Sequence, residues 1–282
     1  TPSLMHPVII QNKRFYSGGK PYFPSTHFLM FPISSHVYFS HLISDADRQV
    51  MINNIKTNGY NSIYLYTLNQ GDYGGKSVTP YLDENALVGG VFNESKIQQW
   101  RVWLESMIND GIRPVIWLFA DDSIKISTAS ITELKRYIQK MVVSFDDLPV
   151  MWVLGLEVDE YWSKAQSDDL GAYLQSIANN PVGIHQQGGL TNYMTSLWVD
   201  FGVYQYSFSG TWVEIYNNAL SSNIAIGNKP LIFAEYHVGQ DTQAVSEGLG
   251  AAFAGVAGVG NGAPGGLDEF METLPDNMTP SR

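Results

Sequence analysis

The sequence contains no cysteine. Disulfides, thiolate nucleophiles and Cys-ligated zinc are therefore excluded. Charge is also scarce: 15% of residues are charged, against about 25% in typical globular domains. Basic residues are outnumbered, 16 Lys+Arg against 27 Asp+Glu, for a net charge of −11 and a pI near 4.8. Nucleic acid and anionic membranes are poor partners for such a surface. No apolar run reaches the roughly 18 residues of a membrane span. The chain opens at Thr1 without a signal-like apolar stretch, which fits a trimmed or mature form. No GxGxxG or GxxxxGK[ST] loop occurs, so a nucleotide-binding open sheet loses its usual signature. What is plentiful is apolar and aromatic: 44% hydrophobic and 13% aromatic residues across 282, enough for a packed core. Low lysine with many Asn, Ser, Tyr and Trp suits a secreted or periplasmic protein that handles sugars.

Along the chain, residues 6–24 hold two β-rich runs around Asn12-Lys13 and a second turn at Ser17 to Lys20, which predicts a small N-terminal β-hairpin. Thr26 to Ile33 reads as a first core strand. A repeating pattern follows. Ser44 to Asp47 resembles a capping box, and Gly59 stops that helix. Ile97, Trp100, Leu104, Met107 and Ile108 share one helical face, as do Ile131, Leu134, Ile138, Met141 and Val142. Leu170, Leu174 and Ile177 mark another helix, with Asp168-Asp169 read as its acidic first turn. Weaker helical signals cover 189–199 and 211–222, and a last helix lies near 241–249. Strand-like runs centre near 28, 63, 116, 153, 183, 204, 232 and 255. Eight alternating units predict a (β/α)8 TIM barrel in one catalytic domain over 1–282. The hairpin takes 1–24, the barrel 25–260, and a C-terminal loop or short helix 261–282.

Barrels of this kind carry their chemistry at the C-terminal ends of the strands. The stretch MWVLGLEVDEYW, Met151 to Trp162, is an apolar strand that stops at Glu157. KPLIFAEYH, Lys229 to His237, repeats the arrangement and stops at Glu235. Two carboxylates at the ends of two buried strands, each beside aromatics, are what cleavage of a glycosidic bond requires. Glu160 is the alternative to Glu157 if the strand ends later. The other strand ends supply His27, Tyr66, Asn69, Asp121, Asp122, His185, Gln186, Tyr204, Tyr206, Tyr236 and His237. Trp162, Trp198, Trp212, Tyr73 and Tyr161 are candidates to stack on sugar faces. Each residue also has a structural reading. Glu235 could pair with Lys229 or Arg113, and Asp121 and Asp122 could cap a helix. His185 and His237 could be site walls or core histidines, while Trp100, Trp103 and Trp152 suit the core. No HExxH or regular His/Asp spacing supports zinc, so neither a metal nor another cofactor is expected. The expected partner is a carbohydrate, not nucleic acid, with no membrane insertion.

Lys229 to Tyr236 resembles the nucleophile strand of clan A retaining glycoside hydrolases. Asn12 to Phe15 and Lys20 to Phe23, Trp152 to Gly155, and Lys229 to Glu235 together resemble the apiosidase-like glycoside hydrolases within that clan. The resemblance implies Glu235 as nucleophile and Glu157 as acid/base in a double displacement on a poly- or oligosaccharide. Tyr204 or Tyr206 would donate to the nucleophile. Much of the clan has Asn before the acid/base; here that position is Leu156. A metal-dependent hydrolase using Asp121, Asp122, His185 and His237, and a non-catalytic carbohydrate-binding barrel, are the alternatives.

Overall fold

The structure, a computed structural model, describes residues 5–28, 49, 52–53, 56–57, 60–67, 72–73, 76–77, 92, 94–119, 126, 128–206, 211–234 and 241–261. Three short strands open it: β1 (Val8–Gln11), β2 (Arg14–Ser17) and β3 (Lys20–Tyr22). They form an antiparallel sheet in that order, so the expected hairpin carries a third strand. Asn12 and Lys13 both take positive φ, as do Gly18 and Gly19; left-handed residue pairs make the tight turns that match strand twist.

Eight strands then close a parallel barrel. In chain order they are β4 (Ser25–Phe28), β5 (Ser62–Tyr66), β8 (Arg113–Phe119), β9 (Met151–Gly155), β10 (Val182–Gln186), β11 (Phe201–Tyr204), β12 (Leu231–Phe233) and β13 (Gly258–Asn261). Each pairs with its chain neighbour, and β13 returns to β4 with Val259 beside Ser25 and Asn261 beside His27. The last strand starts three residues beyond the expected centre near 255, because the helix before it runs to Phe253. A two-stranded ribbon, β6 (Asp72–Tyr73) with β7 (Lys76–Ser77), follows β5.

Five α-helices lie among the described residues: α1 (Glu94–Asn109), α2 (Ile131–Phe145), α3 (Lys164–Ile177), α4 (Trp212–Ala225) and α5 (Asp241–Phe253). Ser130, Ser163 and Thr211 open α2, α3 and α4 with reciprocal capping boxes to Glu133, Gln166 and Glu214, which satisfies orphan amides at each start. Because α3 starts at Lys164, Asp168 and Asp169 are not in its first turn. Asp168 accepts from Lys164 and Trp198, and Asp169 from Lys135 of α2. The helix expected over 189–199 is replaced by turns. Gly188-Gly189 breaks the segment, Gln186 and Lys229 hold it through Tyr193 N and the carbonyls of Met194 and Ser196, and these bonds substitute for a helical ladder.

Alternation along the strands divides the core in two. Val115, Trp117, Met151, Val153 and Val203 fill the barrel. Ile116, Leu118, Trp152, Leu154 and Ile184 face the helices, with Trp100, Trp103 and the buried side of α2. The N-terminal sheet seals the end where strands begin. Phe15, fully buried, packs edge-on against Phe201 at 5.6 Å. Arg113 lies under it, donating to the carbonyls of Pro149 and His6 at 2.7 and 2.8 Å with the Tyr22 ring 4.9 Å away. Burial lowers the Arg113 pKa and raises that of Tyr22.

Candidate active site

The strand-end mouth lies opposite that seal. At β9 the chain leaves the sheet abruptly. Leu156 N donates to Phe119 O at 3.0 Å, and the Leu156 side chain closes the top of the interior cluster. Glu157 then adopts φ 41°, ψ 46°, a left-handed conformation that costs a residue with a Cβ on the order of 1–3 kcal/mol. Its N–H donates to Nδ1 of His185 on β10 at 3.1 Å. Its carbonyl accepts from Glu160 N at 2.9 Å, opening a 3₁₀ turn over Val158–Glu160. Tyr161 folds back and donates its hydroxyl to Leu156 O at 2.7 Å.

Glu160 is directed elsewhere. Its carboxylate accepts from Gln187 Nε2 at 2.6 Å, and Asp159 accepts from Gln187 N at 2.9 Å. The two acids tie the turn after β9 to the loop after β10, and Glu160 is exposed. Glu157 is half-buried.

His185 is fully buried, with its ring 5.2 Å from that of Trp117, which in turn lies 5.2 Å from Tyr64. Burial pushes its pKa from the usual 6.5 down to about 3. The imidazole is neutral at ordinary pH, and an accepting Nδ1 leaves its proton on Nε2.

Several expected contacts take other places. Gln186 is buried, bonded to Asn192 Oδ1 at 2.8 Å and Tyr193 N at 2.6 Å; it anchors the 187–200 loop. Tyr204 faces the helices, packed on Phe233 at 5.4 Å. Burial raises its pKa, against a bond to Ser222 of α4. Tyr204 is therefore not beside the mouth: alternation from Val203, which points inward, turns it out. Tyr206 packs on the same outer cluster. Trp162 is buried edge-on to Phe119 at 5.1 Å, and Trp198 wedges against α3 with Nε1 on Asp168 at 2.9 Å. Neither ring offers a face to a sugar. Trp212, half exposed at the first turn of α4, sits at the end of its helix nearest the mouth. Tyr66 ends β5 beside Trp117, and His27 lies in β4 beside Ile63. Asn69, Asp121, Asp122, Glu235, Tyr236 and His237 lie outside the described residues. The two structural partners considered for Glu235 are engaged at the sealed end: Arg113 as above, and Lys229 on the carbonyls of Met194 and Ser196. Trp117, which the sequence leaves open between core and site, lies in the barrel interior beside His185; Gly155 carries no site reading in the sequence, where a glycine two residues before a strand-end acid is the signal that points to it.

No protein-family model and no curated protein matches the sequence. Solved structures do. A protein of Bacteroides vulgatus assigned provisionally to the glycoside hydrolases superposes with a TM-score of 0.73 at 13% identity over 96% of this chain and 60% of its own. A glycoside hydrolase family 5 protein of the same organism gives 0.68 at 15% over 91% and 62%. The endo-1,4-β-mannanase of Rhizomucor miehei gives 0.68 at 15% over 90% of each chain. The likeness is one of fold. This chain spans less than two thirds of the first two of these structures.

Proposed function

We propose that this chain is a glycoside hydrolase that cleaves a poly- or oligosaccharide with retention of configuration, within clan A and nearest its apiosidase-like members. The observation that carries the reading is Glu157: a half-buried glutamate at the end of the fourth barrel strand, held in a left-handed turn by a buried imidazole. Unusual backbone at a strand-end acid is the kind of local cost that function explains. The fold shared with glycoside hydrolases adds support.

In this mechanism Glu235, two positions past Phe233, where the seventh barrel strand ends, attacks the anomeric carbon as a carboxylate. Glu157 gives its proton to the departing glycosidic oxygen as the C1–O bond breaks. Water then attacks C1 while Glu157 takes its proton, and the C1–O bond to Glu235 breaks, freeing the sugar and restoring the Glu235 carboxylate. The two carboxyl groups would stand about 5–5.5 Å apart. Trp212 is the aromatic candidate for a sugar face at the rim. The unit 1–282 is taken as one catalytic domain that works outside the cytoplasm, without a metal. A metal-dependent alternative would draw on His185, but its Nδ1 already accepts the Glu157 amide.

The test is release of reducing ends from a glycan panel headed by β-1,4-mannan, since the fold neighbours include an endo-1,4-β-mannanase and two mannosidases. Glu157→Gln should lower turnover by about 10²–10⁴-fold. Glu235→Gln should lower it at least as much, both variants staying folded by circular dichroism. Full activity in either removes the assignment. Binding of a glycan by the wild type without cleavage anywhere on the panel would instead make this a carbohydrate-binding barrel.

A further inference from the structure

We infer that His185 is a positioning residue: its imidazole, by accepting the Glu157 amide, holds the left-handed turn that presents the general acid at the barrel mouth. This rests on the reading of Glu157 as acid/base. Register makes the contact possible. Gly183 of β10 pairs with Val153 of β9, so His185, two residues on and on the same inward face, stands beside the point where β9 stops. The ring cannot drift, because it is fully buried against Trp117, itself packed on Tyr64. A left-handed non-glycine backbone reverts to an extended one unless its surroundings over-determine it. Here the amide is captured at 3.1 Å on one side, and Tyr161 clamps the preceding carbonyl at 2.7 Å. Only an unprotonated Nδ1 can accept, and burial keeps the ring neutral. His185 exchanges no proton in the reaction; it acts through the orientation of Glu157.

The experiment compares His185→Phe, which fills the site without an acceptor, with His185→Asn, whose Oδ1 can stand where Nδ1 stood. The probes are phenyl β-D-mannoside, whose leaving group needs a proton, and 2,4-dinitrophenyl β-D-mannoside, whose leaving group does not. His185→Phe should lower kcat/KM about 100-fold on the phenyl glycoside and less than about 3-fold on the dinitrophenyl one. His185→Asn should recover to within about 10-fold of wild type. Equal losses on both probes, or no rescue by Asn, would leave His185 a packing residue and overturn the inference. Glu157→Gln on the same pair separates the two ideas: if it lacks the leaving-group dependence, the acid/base reading fails first. A readout free of turnover is the ¹⁵N spectrum of the wild-type histidines at neutral pH. His185 should be the neutral Nε2–H tautomer; an Nδ1–H tautomer or a cationic ring overturns the inference whether or not either mannoside is cleaved.

Discussion

At the scale of single residues, the site depends on how tightly the chain can fold where β9 ends. A Cβ on Gly155 would lie 2.7 Å from the Tyr161 hydroxyl oxygen, 3.0 Å from Phe119 O and 3.1 Å from Phe119 Cβ. Two of those atoms belong to the neighbouring strand and cannot retreat. The third belongs to the side chain that clamps Leu156 O. Gly155→Ala must therefore displace Tyr161 or spread β8 from β9. The expected cost is roughly 1–3 kcal/mol, read as a lower urea midpoint. Turnover should fall further than stability alone explains, because Glu157 is two residues away. An unchanged midpoint would mean that Tyr161 swings aside freely and that its clamp holds nothing.

At the scale of elements, one buried carboxylate ties three of them together. Asp146 ends α2 with its N–H on Val142 O and is 6% exposed. Its carboxylate accepts from Trp152 Nε1 of β9 at 2.8 Å, Asn179 N at 2.6 Å and Asn180 Nδ2 at 2.9 Å, the asparagines lying just past α3. Removing it strands several buried donors, so Asp146→Ala should cost roughly 2–4 kcal/mol. Asp147, the next residue, pairs with Arg101 at the surface, and Asp147→Ala should cost less than about 1 kcal/mol. Chemical denaturation of the two variants checks the contrast; similar losses would refute it. The elements themselves were legible. The spacing of Leu134, Ile138, Met141 and Val142 foretells the buried side of α2, and short apolar runs foretell the barrel strands. The facing of strand-end residues was not. Tyr204 points to the helix layer because one residue's uncertainty in strand phase reverses every side chain, and Trp162 because the 3₁₀ turn over Val158–Glu160 carries it back onto Phe119. The left-handed turn at Glu157 has no glycine or asparagine to announce it, and its bond to His185 spans 28 residues through a register only the closed barrel defines.

At the scale of the whole molecule, the barrel has a sealed end and a working end, and His185 links the working end to acid stability. In the unfolded chain its imidazole binds a proton below about pH 6.5; in the folded protein burial delays this to about 3. Between those values the unfolded state holds more protons, so stability falls as pH falls, by up to about 1.4 kcal/mol per pH unit. Two carboxylates act at lower pH with opposite signs. Burial alone would raise the Asp168 pKa, but bonds from Lys164, Ser196 and Trp198 hold it low, so its contribution is lost on acidification. Burial raises that of Asp200, which favours the folded state as pH falls. Comparing wild type with His185→Asn cancels both. Between pH 7 and 4.5 the wild type should lose roughly 2–3 kcal/mol more than the variant in urea unfolding. Parallel pH profiles would mean that the folded imidazole titrates as it does in the open chain. It would then protonate in the folded protein near pH 6.5, release the Glu157 amide, and lose its hold on the turn in mildly acidic solution.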